Sequence, residues 1–104
     1  MIAKNFIITS LQKRISKEEL SGFILYLFGS SSRSNDFSDI DLLIVYDENL
    51  ISVKSAILFR NKIFCCLKEN CNTIIDICLL SKSENNQTYF SEKENAIELT
   101  LFNL

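Results

Sequence analysis

The spacing of apolar residues changes several times along the chain, and each change marks an element. Ile2, Ala3, Phe6, Ile7, Leu11 and Ile15 recur at three- and four-residue steps, with Lys4, Asn5, Gln12 and Lys13 between them. That spacing predicts an amphipathic helix from Ile2 to Arg14 with one face on a core. Ser16-Lys17-Glu18-Glu19 has the form of a capping box and starts one more helical turn, which Gly22 ends. Phe23 to Phe28 is then unbroken apolar sequence, and Ile40 to Val45 is apolar apart from Asp41. Both runs are short, rich in β-branched and aromatic residues, and bounded by Gly22, Gly29 and clusters of Ser, Asn and Asp, which predicts strands at 23–28 and 40–46.

Asp47-Glu48-Asn49 reads as a turn, and Leu50 to Asn70 as a long helix. Val53, Ala56, Ile57, Arg60, Phe64 and Leu67 fall on one side of it, while Lys54, Asn61, Lys62, Lys68 and Glu69 fall elsewhere. Thr73 to Leu80 is dense in β-branched residues and predicts a third strand. A strand, helix and strand in succession place two parallel neighbours through a right-handed crossover. The first two strands are joined by a loop, which predicts an antiparallel pair. The expected fold is α/β (α+β), a mixed sheet of three or more strands with flanking helices. Ser81 to Gln87 is polar and reads as a loop or a short helix. Phe90, Ala96, Ile97, Leu99, Leu101 and Phe102 need cover, which predicts a short helix from about Glu92 and an apolar tail packed on the domain or on a partner.

With 104 residues, the chain suits a single domain spanning 1–104, with room for one core and none for a second substrate domain. Hydrophobic residues at 47% and charged residues at 23% are ordinary for a soluble globular protein. No apolar run approaches the roughly 18 residues of a membrane span, and Met1 to Ser10 lacks the features of a secretory signal, so the expected location is cytoplasmic. A net charge of −2 with scattered Lys and Arg gives no footprint for long nucleic acid. Cys65, Cys66, Cys71 and Cys78 form no CxxC pair, and the chain has no histidine. Zinc sites of the mixed kind and His-dependent nucleophilic catalysis are therefore disfavoured. The cysteines read as buried small hydrophobes, Cys78 on a strand and Cys65 on a helix face.

Chemistry concentrates in Gly29 to Asp41. Residues two apart on a strand point to the same face, so Asp39 and Asp41 project side by side. Flanked by Ile40, Leu42, Leu43 and Ile44, they repel one another unless they stay wet or share a cation. Magnesium suits such a site, because it binds through one or two carboxylates plus substrate phosphates. If the second and third strands are parallel, Asp76 in Ile74-Ile75-Asp76-Ile77 opens its strand at the same end of the sheet, and three carboxylates converge. Gly29 allows close backbone approach where the chain turns. The serine-rich segment after it offers N-H groups and hydroxyls to phosphate, with Arg33 as the loop's cation.

The words Leu27-Phe28-Gly29-Ser30 and Ser38-Asp39-Ile40-Asp41-Leu42-Leu43-Ile44-Val45, followed by Asp76, resemble the minimal nucleotidyltransferases of the DNA polymerase β-like superfamily. The loop from Ser31 to Ser38 is shorter than is common there, and Ser34 stands where a second glycine often follows the loop arginine. The resemblance implies that Gly29 and Ser30 meet the triphosphate. It also implies that Asp39 and Asp41 hold a pair of magnesium ions, for which manganese substitutes, and that Asp76 ligates the ion activating an attacking hydroxyl. The implied reaction transfers a nucleoside monophosphate, most naturally AMP from ATP. Small chains of this group resemble the antitoxin half of pairs with an all-helical HEPN protein, so adenylylation of such a partner is the leading expectation. The competing one is a silent module that neutralises its partner by contact alone.

Overall fold

The computed structural model describes residues 2–29, 39–69 and 73–102, with the side chains of Ile2 and Ala3 outside the description. In chain order the elements are α1 (Ile2–Gln12), α2 (Lys17–Leu20), β1 (Phe23–Phe28), β2 (Asp39–Tyr46), α3 (Val53–Lys68), β3 (Ile74–Ser81), α4 (Lys82–Thr88), α5 (Phe90–Lys93) and β4 (Ile97–Leu99). The strands form one mixed sheet in the order β3-β2-β1-β4. β1 runs antiparallel to β2 and β4, and β2 runs parallel to β3, as the connections predict.

Alternation along the strands divides the sheet into two chemically different faces. Leu25 and Leu27 of β1, Ile40, Leu42 and Ile44 of β2, Ile75 of β3 and Leu99 of β4 point into the main core. There they meet Ile7 and Leu11 of α1 and Phe59, Ile63, Cys66 and Leu67 of α3. Ile15 continues the buried stripe just past the end of α1, where the chain has already left the helix. Phe23 stacks on Phe59 with ring centroids 3.9 Å apart, fixing α3 over the start of β1. The opposite face carries Asp39, Asp41, Leu43 and Val45 of β2, and Leu43 and Val45 are buried there. α4 lies against β2 and β3, and Phe90 of α5 meets Phe28 edge-on at 5.2 Å.

Capping sets several element boundaries. Ser16 accepts from the Glu19 amide while Glu19 accepts from the Ser16 amide, completing the expected box. Gly22, at φ 88, ends that turn, and Ser52 caps α3 by accepting from Ser55 N. A second box at Ser81 and Glu84 starts α4, resolving the polar stretch after β3 into a helix. The turn after β2 holds that helix in place: Glu48 accepts from Ser83 N, and Asp47 pairs with Lys82 at 3.5 Å.

Three expectations change. The face of α3 turned to the core is Ala56, Phe59, Ile63, Cys66 and Leu67, whereas Val53, Ile57 and Phe64 stay on the surface. The helix has two apolar stripes, and the Phe23–Phe59 stack together with contact against α1 selects the one that periodicity alone did not favour. The rotation also exposes Cys65 and buries Cys66 in its place. Finally, the short helix near Glu92 begins earlier, at Phe90, and the following tail supplies a fourth strand rather than only packing. Ile97 to Leu99 pairs with the free edge of β1, and Gln12 Nε2 donates to Leu101 O to hold the tail against α1.

Candidate active site

β1 ends at Phe28, directly across from Asp41 on β2, and Asp41 is in turn the register partner of Asp76 on β3. Asp39 lies two residues before Asp41 on the same face. One carboxylate oxygen from each of Asp39, Asp41 and Asp76 lies within 4.8 Å of the other two. Asp39 and Asp41 are half-buried and Asp76 is exposed, so the cluster opens outward at the β3 side. The three predicted acids thus meet at one end of the sheet because β2 and β3 are parallel and in register.

Gly29 follows β1 with φ 74, in the region that disfavours side chains. A Cβ added there would collide with Oδ2 of Asp41. The glycine therefore makes room for the central carboxylate as well as turning the chain. Ser30 and Arg33, the other expected phosphate contacts, lie outside the described residues, as does Cys71.

Electrostatics at the cluster are unfavourable for three bare acids. Burial and then the neighbouring charges of Asp39, Asp76 and Glu94 push the Asp41 carboxyl above its ordinary range. The Cys78 thiol is pushed up by burial and then by Asp41, Asp76 and Glu94. Glu94 was not legible as part of this environment. It lies far along the chain in a polar segment, and only the return of α5 to Phe28 brings it to the acidic end.

A divalent cation fits the donor set. Magnesium-oxygen bonds of about 2.1 Å place two oxygens on a common ion no more than roughly 4.2 Å apart, and a pair of ions spans more. The observed limit of 4.8 Å needs only small side-chain adjustment to meet the first case and already accommodates the second. Among the described residues, two clefts lie elsewhere: one of 590 Å³ lined by Leu50, Leu58 and Phe59, and one of 670 Å³ beside Leu20 and Phe102. Both include Phe23, which pairs with Tyr46 at the end of β1 remote from the acids. Their linings pair single acids with lysines, Glu19 with Lys62 in the first and Glu18 with Lys17 in the second, and hold no cluster of carboxylates like that of Asp39, Asp41 and Asp76.

A family model described as a nucleotidyltransferase domain matches residues 8–66. The match runs from α1 through β1 and β2 into α3, so it includes Gly29, Asp39 and Asp41 and stops before Asp76. Comparison with curated proteins finds no match.

Proposed function

The chain belongs to the nucleotidyltransferase domain family, and from that premise we propose a magnesium-dependent enzyme that transfers AMP from ATP to a hydroxyl on a helical partner protein of the HEPN type. The observation carrying the proposal is the convergence of Asp39, Asp41 and Asp76 within 4.8 Å. Nucleotidyl transfer is the family's chemistry.

Asp39, Asp41 and Asp76 would hold the cation, with Asp41 shared centrally between the other two. Bound there, a divalent ion neutralises carboxylate and phosphate charge and polarises the α-phosphate. With no Cβ, Gly29 leaves room for the Asp41 carboxylate beside the backbone. Asp76, as the exposed member, lies on the side from which an acceptor can approach. In the transfer, the acceptor oxygen forms a bond to the α-phosphorus as the bond to the α,β-bridging oxygen breaks. Pyrophosphate leaves with that electron pair, and the hydroxyl proton passes to solvent.

The test incubates the chain with its genomic neighbour, α-labelled ATP and magnesium. Label should appear on the neighbour and be lost in Asp41→Asn. Because the acids act as a unit, Asp39→Asn/Asp76→Asn should lose little more than either single replacement. Full neutralisation of the neighbour's toxicity by a triple-Asn chain, without label, would leave a contact-only module instead.

A further inference from the structure

The exposed side of α3 combines cations with apolar residues. From Val53 to Lys68 the helix carries Lys54, Arg60, Lys62 and Lys68 and no acid, in a chain whose net charge is −2. It also displays Val53 at 61% exposure, Ile57 at 38% and Phe64 at 38%. At 3.6 residues per turn these three side chains fall within about 40° of one another, roughly 110° from the centre of the buried stripe. Such a second apolar stripe does not serve the core of this domain.

Its place in the fold is set by the opposite flank of the helix. Phe59 stacks on β1, Lys62 pairs with Glu19, and Arg14 pairs with Glu69 just beyond the helix at 2.5 Å. All these contacts lie toward α1, α2 and β1. Val53, Ile57 and Phe64 are therefore turned toward β3, an edge strand of the sheet. The end of α3 is held there as well, because Lys68 Nζ donates to Thr73 O at 3.0 Å. An apolar stripe flanked by Arg60 and Lys68 thus lies on the β3 side of the helix.

We infer that this stripe docks an amphipathic helix of a protein partner, one whose apolar face is flanked by Asp and Glu. Charge complementarity selects that occupant. A second copy presenting the same helix would set cations against cations. An anionic membrane is a poorer fit, since a second apolar position, Leu58, lies about 120° around the helix from the centre of the Val53, Ile57 and Phe64 stripe, with Lys54 and Lys68 between them. Both apolar positions could not enter a bilayer without carrying those ammonium groups with them. A helix laid along α3 would instead bury Val53, Ile57 and Phe64 while its acids meet Arg60 and Lys68. The inference is independent of the transferase reading, because no residue of the acid cluster contributes to this surface.

Fluorescence anisotropy on the full chain tests it with a pair of labelled helical peptides sharing one leucine face, one flanked by Glu and the other by Lys. The Glu peptide should bind saturably and the Lys peptide should not. Phe64→Ala should weaken binding about tenfold, as expected of an apolar anchor. The double variant Arg60→Glu/Lys68→Glu should reverse the preference, with circular dichroism confirming that it is folded. Asp41→Asn should bind the Glu peptide as well as the unaltered chain does, whatever its transfer activity. Absence of binding, equal binding of both peptides, or a preference unchanged by charge reversal would overturn the proposal. So would Phe64-dependent self-association in sedimentation, or Phe64-dependent binding to phosphatidylserine vesicles in place of the peptide.

Discussion

At the scale of single residues, Asp41 and Gly29 set the character of the site. Asp41 has Asp39 on its own strand, Asp76 beside it on β3 and Phe28 across on β1, so its charge is tolerated rather than favoured by the fold. Like charges on neighbouring strands cost up to about 1 kcal/mol. Asp41→Asn is therefore expected to stabilise the chain in chelator by an amount of that order, read as a higher urea midpoint at unchanged slope. Magnesium should reverse the ranking, because an ion at 100 times its dissociation constant stabilises the unaltered chain by about 2.7 kcal/mol. Equal midpoints for both chains in both media would remove the cation from the site. Gly29→Ala should strain the backbone by more than about 1 kcal/mol and displace the Asp41 carboxylate. Calorimetry should then show magnesium affinity falling further than the stability loss alone explains. Asp39, Asp41 and Gly29 were legible in the sequence because they bound a polar loop between two apolar runs, and Asp76 because it opens a strand expected to run parallel to theirs. Glu94 was not, since nothing in Ser91-Glu92-Lys93-Glu94 signals which end of the sheet it will reach.

Among the elements, α4 is held by its start. Ser81 is the last residue of β3 and the N-cap of α4, buried at 6% exposure, and it exchanges hydrogen bonds with Glu84. Ser81→Ala should cost about 1 kcal/mol and lower the urea midpoint with little change in slope. Hydrogen exchange at the Glu84 amide should quicken most. The other capping box reports on pH. Glu19 accepts hydrogen bonds from Lys62 and from the Ser16 amide, which hold its carboxyl below the usual 4.5. A lowered folded value means the contribution is complete above the unfolded value and disappears as pH falls through the folded one. Glu19→Gln should accordingly be less stable than the unaltered chain at neutral pH, with the gap closing on acidification below 4.5. A constant gap across an acid titration followed by circular dichroism would show that the Lys62 pairing contributes nothing.

Across the whole molecule, the sheet separates packing from chemistry. One face is closed by α1 and α3, and the other places three carboxylates at the end of the sheet shared by β2 and β3. No helix among the described residues is long and apolar enough to cross a membrane. The short-range code was sufficient for much of this: alternation between apolar and polar positions, strand-length runs and Ser-x-x-Glu boxes are properties of neighbours, so β1, β2, β3 and α2 could be read before any fold was known. Parallel pairing of β2 with β3 also followed, because a helix between two strands leaves few ways to return. The rotation of α3 did not follow. Two stripes of similar apolarity compete on that helix, and their difference in free energy comes from Phe59 finding Phe23 in another element. β4 was beyond reach for a related reason: three residues carry too little periodicity, and Ile97 to Leu99 becomes a strand through the free edge of β1. Local pattern thus determined the elements and the acids they carry. Contacts between residues distant in the chain decided which apolar face was buried, which was left exposed, and that Glu94 would stand near the acids.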